Sequence, residues 1–486
     1  MTASLWSTEE VVAATDAICT GNGSSIQGVS IDTRSLQPGD LFFAIEGEAR
    51  DGHDFAQAAL AKGAAGAFVL RSRADEFQEF GRIFAVADVM QAMRDLAFAA
   101  RNRITGPVIA VTGSVGKTGT KEALRLALSR QGATHASVAS YNNHWGVPLT
   151  LARTPRDSAF AIYEIGMNHP GEILPLTKLV RPNVAIITTV APVHLEFFRS
   201  VADIADAKAE IFTGLEPGGI AILPRDCLHF ERLKLHAAGS QAGRVISFGE
   251  GAEADIRAET IIAGSEASDV VASVFGRKIR YRVGSPGRHV ALNSLAVLAA
   301  VAATGADVDA AAAAMIDLTP PTGRGERLLL GSRDSSFLLV DESYNANPAS
   351  MRAALSNLAM VDIPKGGRKI AVLGDMGELG PTGPKLHEEL AKVILDSGVD
   401  QVFAAGSLMK NLVEALPSSL IGGYGETSAQ LIDQVNAFVR ADDAIMIKGS
   451  LSTRMGLVVA SLKERHGVLG ASAAQGSEKP NPASKG

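Results

Sequence analysis

Short runs of apolar, mostly β-branched residues alternate along this chain with longer stretches in which apolar residues recur at helical spacing. The run V-I-A-V at 108–111 predicts a buried strand, T-G-S-V-G at 112–116 breaks it, and K-T-G-T-K-E-A-L-R-L-A-L from 117 opens an amphipathic helix. Further strands are predicted near 159–165, at 184–189 and at 219–223, with helical pattern between them. That is the rhythm of βαβ units and a mostly parallel sheet. The alternation returns beyond 324 in F-L-L-V, K-I-A-V-L-G, Q-V-F-A-A-G and A-I-M-I-K-G, which predicts a second, Rossmann-like doubly wound layer. Ahead of both, 26–31 alternates like a strand, and the polar turn D-T-R-S-L-Q-P-G-D leads into the strand L-F-F-A-I, so 1–105 reads as a small α/β domain. An Ala-rich helix gives way to Pro-Pro and Gly at 320–323, a hinge signal. The fold expected is three α/β domains over 1–105, 106–323 and 324–466. The tail from 467, made of Gly, Ala, Ser, Pro and Lys, is too poor in apolar residues to order.

Composition narrows the function without choosing it. The chain has 486 residues, 46% of them hydrophobic and only 5% aromatic, which suits several Ala/Val/Ile/Leu-packed cores. A net charge of -6 argues against broad nucleic-acid binding, so anionic ligands need local sites. Cys19 and Cys227 match no metal spacing and read as two reduced structural thiols. The first residues carry no basic leader, and no stretch approaches the ~20 apolar residues of a membrane span, so the expectation is a cytoplasmic protein; a monomer is expected as well, though nothing in these features derives it.

The chemistry centres on the 112–118 turn. Gly113 and Gly116 let backbone approach phosphate oxygens at the positive end of a helix dipole, with Ser114 and Val115 between them. Lys117 would reach the outer phosphates and Thr118 would offer a hydroxyl to Mg²⁺. It is a shortened loop, G-x-x-G-K-T, because Val111 stands where the general form has Gly. Other polar residues sit at predicted strand ends, where ligands gather in such sheets. Glu164 is either a Mg²⁺ carboxylate or a buried acid with a structural partner. His194 is either a metal ligand or structural. Lys208, on an amphipathic helix, reads as a solvated surface residue. Asp32 and Arg34 read as a turn salt bridge; Asn142 and Asn143 suit a loop. In D-E-S-Y-N-A-N-P, Asp341 could hold a ribose hydroxyl, with Tyr344, Asn345 and Asn347 as uncharged partners, or Asn347-Pro348 simply caps the next helix. Asp375 and Glu378 either orient an ammonium group or form a solvated acidic turn.

Several of these segments, in this order, resemble the Mur ligase family: S-I-D-T-R-S-L-Q-P-G-D-L-F-F-A-I-E-G, Y-N-N-H-W-G-V-P-L-T, E-I-G-M, V-H-L-E, A-D-A-K-A-E-I-F and G-R-G-E-R. The resemblance spans all but the tail. It implies an N-terminal domain that holds the UDP part of a UDP-sugar-peptide through Ser30, Asp32, Thr33 and Arg34, with Asn142 or Asn143 on the substrate. It implies ATP bound by the 113–118 loop, by His289 and Asn293, and by Arg324 from the hinge. A first Mg²⁺ would lie on Thr118 and Glu164. A second would be framed by His194 and a CO₂-derived carbamate on Lys208, which reverses the surface reading of that lysine. Lys448, Ser450 and Arg454 resemble a C-terminal family segment in which Leu451 replaces the usual Arg, and Val290 replaces an Asn beside His289. Y-N-A-N-P-x-S-M resembles the branch that adds D-Ala-D-Ala to UDP-N-acetylmuramoyl tripeptide through an acyl phosphate. Two other readings stay open. A sibling ligase, tripeptide-forming or folylpolyglutamate-type, is opposed by Y-N-A-N-P and D-T-R. A nucleotide-gated switch protein leaves Y-N-A-N-P and K-G-S unexplained.

Overall fold

The strand Val108–Thr112 is buried along its whole length, and the largest sheet is built around it. In spatial order that nine-stranded sheet runs Arg277–Val283, Ser268–Val274, Ile256–Ala263, Ala242–Gly249, Gly219–Pro224, Val184–Ile187, Val108–Thr112, Phe160–Glu164 and Thr134–Ala136. The strands from 134 through 256 pair in parallel, and the last two join as antiparallel hairpins. A parallel sheet is covered on both faces, which is why its inner strands read as unbroken apolar runs. Ile109 and Val111 point to the face covered by helices Lys117–Ser129 and Arg288–Ala303, where Leu124, Leu128, Leu295 and Leu298 complete a core of fully buried side chains. This helix and sheet geometry fixes where the 113–116 loop leaves the strand.

The computed structural model describes residues 4–21, 25–47, 50–138 and 140–469. They fall into two compact units. The described residues within 1–192, 197–263 and 267–318 make up the first, and those within 193–196, 264–266 and 319–486 the second. The first unit carries the nine-stranded sheet and a smaller five-stranded one, ordered Ile18–Thr20, Ile83–Val86, Gly66–Leu70, Asp40–Phe43 and Gly28–Ser30. Only its first pair is antiparallel. Its core gathers Trp6, Phe43, Phe68, Phe84 and Leu96 with Leu149 and Ala152 of the helix Gly146–Ala152, and the Trp6 indole donates to the Ala152 carbonyl at 2.8 Å.

The second unit is a six-stranded sheet ordered Glu326–Ser332, Ser335–Glu342, Ala444–Lys448, Lys369–Gly374, Gln401–Ala405 and Ile421–Gly425. Its first pair is an antiparallel hairpin and the rest are parallel, with helices on both faces. The mixed α/β architecture with three sheets is the fold class expected from the alternation of patterns. The expectation of an unstructured chain from 467 does not hold for 467–469: Gly467 accepts from the Gly331 amide and Leu469 donates to the Leu329 carbonyl, extending the hairpin edge. The remainder of that expectation, 470–486, lies outside the described residues. Cys19 and Cys227 are free thiols. Among the described residues no helix is long and apolar enough to cross a membrane.

His135, on the edge strand Thr134–Ala136, exposes how the first unit responds to acid. Burial pushes its imidazole down to about 4, the Arg153 charge acts in the same direction, and the hydrogen bond to the Thr150 carbonyl opposes both. Between its ordinary value of 6.5 and 4 the unfolded chain takes up a proton that the folded one refuses. Stability of the first unit is therefore expected to fall as pH drops through that window, and His135→Gln should flatten the fall in a melting-temperature series.

Candidate active site at the phosphate loop

The loop between the strand Val108–Thr112 and the helix Lys117–Ser129 is held in a shape that only glycine permits at two positions. Gly113 has φ +150°, and a Cβ there would stand 1.9 Å from the Thr188 hydroxyl oxygen. Gly116 has φ +85°, and a Cβ there would stand 2.4 Å from the Asn293 amide nitrogen. Gly116 is also the N-cap of the helix, and having no side chain it leaves the first helical amides uncapped. An uncapped helix N-terminus next to a glycine-rich turn attracts anions. Lys117 opens the helix and folds its ammonium back onto the Gly113 carbonyl at 2.8 Å. The Thr118 hydroxyl, almost fully buried, lies 3.2 Å from the Ser140 hydroxyl.

Further side chains of the first unit carry charge or a polar head around this loop or on the elements beside it. Glu164, the last residue of the strand Phe160–Glu164, is completely buried. Its amide donates to Ser137 Oγ at 3.2 Å, and its Oε1 accepts from Asn142 Nδ2 at 2.6 Å. Its Oε2 is buried with no hydrogen-bond partner among the described residues. A buried carboxylate oxygen left open in this way costs free energy unless a cation or donor fills the place. Together with the Thr118 hydroxyl it is the kind of hard oxygen donor that Mg²⁺ prefers. Among the described residues no group of three or more His, Cys, Asp or Glu side chains is arranged to hold a metal by itself. A Mg²⁺ that relies on one or two protein oxygens and on substrate phosphates needs no such group.

Lys208, near the end of the helix Val201–Ala209, is only 2% exposed, which overturns its reading as a solvated helix-face residue. Burial lowers its pKa well below the lysine range, and the nearby Lys117 charge lowers it further. Among the described residues it has no acidic partner, so the neutral amine is favoured. Asn293 touches the loop at Gly116, and the exposed His289 lies one helical turn earlier on the same helix.

The remaining expected site residues of the first unit divide between open and engaged groups. Asn143 accepts from the Trp145 and Gly146 amides at 3.2 and 2.9 Å, so it shapes the turn. Ser30, at the end of the edge strand Gly28–Ser30, is buried against the Asp32 backbone. Asp32 and Arg34 form a bidentate ion pair, with the guanidinium holding the carboxyl below its ordinary range, while Arg34 remains exposed. The Thr33 carbonyl accepts from Lys62 at 2.8 Å. The turn salt bridge is thus present, and Arg34 still offers exposed donors.

In the second unit, Arg324 stacks on the Tyr344 ring at 4.0 Å. Asp341 is buried at a strand end and accepts from the Ser343 amide and hydroxyl at 3.0 and 2.6 Å. Lys448 is buried and bonds Glu342 at 3.1 Å and the Asn345 carbonyl at 2.9 Å. Asn345 accepts from the Ala346 amide at 2.8 Å. Asn347 caps the helix Pro348–Ala359 in a reciprocal box with Ser350, the alternative that the Asn-Pro pair signalled. Asp375 accepts from the Met409 amide at 2.8 Å and from the Leu408 amide at 3.3 Å, so its carboxylate holds a helix start. Glu378, at φ +59°, pairs with the His194 ring, since the segment Val193–Glu196 groups with this unit. Ser450 lies 3.0 Å from Ser452, and its amide donates to the Asp375 carbonyl; Arg454 sits at φ +53°. Sequence reasoning passed over two participants. Glu342 directly follows Asp341 at a strand end and is the acid that a buried Lys448 requires, and Ser140 precedes Y-N-N and meets Thr118.

Fold and site together define an α/β protein of the phosphate-loop class, with a second doubly wound unit. Residues 25–99, 111–301 and 323–451 match, in that order, the family models described as "Mur ligase family, catalytic domain", "Mur ligase middle domain" and "Mur ligase, glutamate ligase domain". The chain belongs to the Mur ligase family, a family of ATP-dependent ligases. It is 32% identical to the UDP-N-acetylmuramoyl-tripeptide--D-alanyl-D-alanine ligase of Rickettsia prowazekii, over 90% of this chain and 95% of the relative. It is 34% identical to the ligase of the same name from Escherichia coli, over 91% and 95%. Among solved structures, a crystal structure of MurF from Acinetobacter baumannii superposes with a TM-score of 0.81 at 28% identity, covering 95% of this chain and 99% of that one. MurF ligase from Thermotoga maritima, solved in complex with ADP, gives 0.73 at 25% identity over 90% and 97%.

Replacing Gly113 tests the loop geometry directly. Gly113→Ala must strain both φ and the Thr188 contact, so ADP binding is expected to weaken by about ten- to a hundredfold in a calorimetric titration while the circular dichroism spectrum stays unchanged.

Proposed function

We infer that this chain is an ATP-dependent amide ligase that joins D-Ala-D-Ala to UDP-N-acetylmuramoyl-tripeptide, giving the UDP-linked pentapeptide, ADP and phosphate in peptidoglycan precursor synthesis. The observation that carries the reading is the end-to-end likeness, at 30% identity or more, to relatives that bear this activity in their names, combined with a glycine-shaped anion loop at the start of a helix. The working protein is taken as a cytoplasmic monomer, with domains over 1–105, 106–323 and 324–466.

The reaction needs a carboxylate turned into an acyl donor. The tripeptide carboxylate attacks the γ-phosphorus of ATP, ADP leaves, and an acyl phosphate results; the D-Ala-D-Ala amine then attacks the carbonyl, and phosphate leaves as the amine gives up a proton. The amides at the start of the helix, with Gly113, Val115 and Gly116, would seat the nucleotide phosphates, with Ser114 shaping the loop through its bonds to Thr189 and Ala191, and Lys117 would offset charge on the transferring group. His289, Asn293, Arg324 and Asp341 are proposed as further nucleotide contacts. Mg²⁺, when bound, supplies a Lewis acid to phosphate oxygens; Thr118 and Glu164 would hold one ion, and His194 with a carbamylated Lys208 a second.

Burial and the Lys117 charge favour the uncharged Lys208 amine, which is the form able to add CO₂ through its nitrogen lone pair with loss of one proton. The product would carry a negative charge near the Lys117 cation, where no acidic side chain among the described residues partners Lys208. Ser30, Asp32, Thr33 and Arg34 are proposed to meet the UDP part, with Arg34 as the open donor. Asn142, Asn143, Tyr344, Asn345, Asn347, Asp375, Glu378, Lys448, Ser450 and Arg454 are proposed for the peptide and the incoming dipeptide, several of them by shaping loops.

Mass spectrometry of products after mixing the protein with MgATP, UDP-N-acetylmuramoyl-tripeptide and D-Ala-D-Ala tests the activity. A pentapeptide with ADP and phosphate is expected; ADP without amide product from any amine contradicts the reading. For the carbamate, Lys208→Ala should lose about a hundredfold or more in rate and regain part of it with short carboxylic acids. Full activity of that variant would remove Lys208 from the chemistry.

A further inference from the structure

The phosphate loop is stitched to the segment that follows the neighbouring strand Val184–Ile187. Thr188, only 3% exposed, donates its hydroxyl to the Val115 carbonyl at 2.6 Å and, more weakly, to the Thr112 carbonyl at 3.3 Å. Its amide donates to the Thr112 carbonyl at 2.9 Å, and the Gly113 Cα presses against its hydroxyl with no room for a side chain. Next along, the Ser114 amide donates to the Thr189 carbonyl at 2.9 Å, and Ser114 Oγ accepts from the Ala191 amide at 2.9 Å and lies 3.1 Å from its carbonyl. The Ser114 amide is thereby used up inside the protein.

The Val115 bond has a directional consequence. In a planar trans peptide the carbonyl and the following N–H point opposite ways. Drawing the Val115 carbonyl onto Thr188 turns the Gly116 N–H away from Thr188. We propose that Thr188 is a positioning residue for nucleotide binding, fixing the Val115–Gly116 peptide so that its amide faces the phosphates before they arrive. The proposal rests on the reading of this loop as the ATP site. Thr188 touches no substrate itself. With its hydroxyl removed, the loop can rotate that peptide, and binding must then supply the ordering that Thr188 supplies in advance.

The test uses the full chain and three variants. Thr188→Val keeps the branched shape and removes the hydroxyl, Thr188→Ser keeps the hydroxyl and removes the methyl, and Thr188→Ala removes both. In calorimetric titration with MgADP, Thr188→Val is expected to bind about tenfold more weakly and Thr188→Ser within about threefold of the unmodified chain. In steady-state assays, KM for ATP should rise in Thr188→Val while KM for the UDP-linked substrate holds. Should Thr188→Val fold poorly, Thr188→Ser against Thr188→Ala makes the same comparison. Unchanged MgADP affinity in Thr188→Val, Thr188→Ser as impaired as Thr188→Val or Thr188→Ala, or an equal rise in both KM values overturns the inference. Absence of MgADP binding by the unmodified chain overturns the inference and the function reading together.

Discussion

A helix that begins without a side-chain cap must find something else for its first amides, and the architecture around 113–118 follows from that constraint. Gly116 starts the helix at φ +85°, where a side chain would be strained and would strike Asn293. Gly113 turns the chain beside Thr188 at a separation no Cβ could occupy. The strand that delivers the loop is buried on both faces and cannot shift, since parallel neighbours at 160–164 and 184–187 grip it on either side. A rigid strand and a rigid helix thus leave a short backbone segment little freedom. The amides at its end are aimed at an anion by geometry already in place.

The cost of this arrangement falls on buried polar groups. Glu164 has one oxygen satisfied by Asn142 and the other unfilled, and Lys208 is enclosed with no acidic partner among the described residues. Each is unfavourable in the protein alone. In the proposed function each would gain a countercharge: a cation at Glu164, and at Lys208 a carbamate whose negative charge would offset the nearby Lys117 cation. A core selected for stability alone would pair these groups or replace them with apolar ones. Their persistence within one unit, next to a loop shaped for phosphate, is the physical ground for treating them as chemistry.

Much of this was legible in the chain. Alternating apolar runs gave the parallel sheets because inner strands of covered sheets must be apolar, and Gly113, Gly116 and Lys117 were readable because loop geometry is local. Lys208 was misread from pattern alone: its helix carries polar residues around it, and only packing against other elements decides which of them is enclosed. Asp375 and Asn347 were read for ligand chemistry as well as turn chemistry, and both are engaged in holding helix starts. Local spacing announced the cap at Asn347, but the Met409 helix that Asp375 holds is distant in sequence. Glu342 and Thr188 escaped notice for the same reason, since their partners, Lys448 and Val115, are 106 and 73 positions away.

The claim at the centre of this account is that the loop seats nucleotide phosphates beside a metal held by the open oxygen of Glu164. Calorimetric titration of the unmodified chain and of Glu164→Gln with ADP, in Mg²⁺ and again in EDTA, addresses it most directly. The account predicts that Mg²⁺ tightens ADP binding to the unmodified chain and that Glu164→Gln loses that gain while keeping its metal-free affinity. An equal Mg²⁺ gain in both proteins would contradict it.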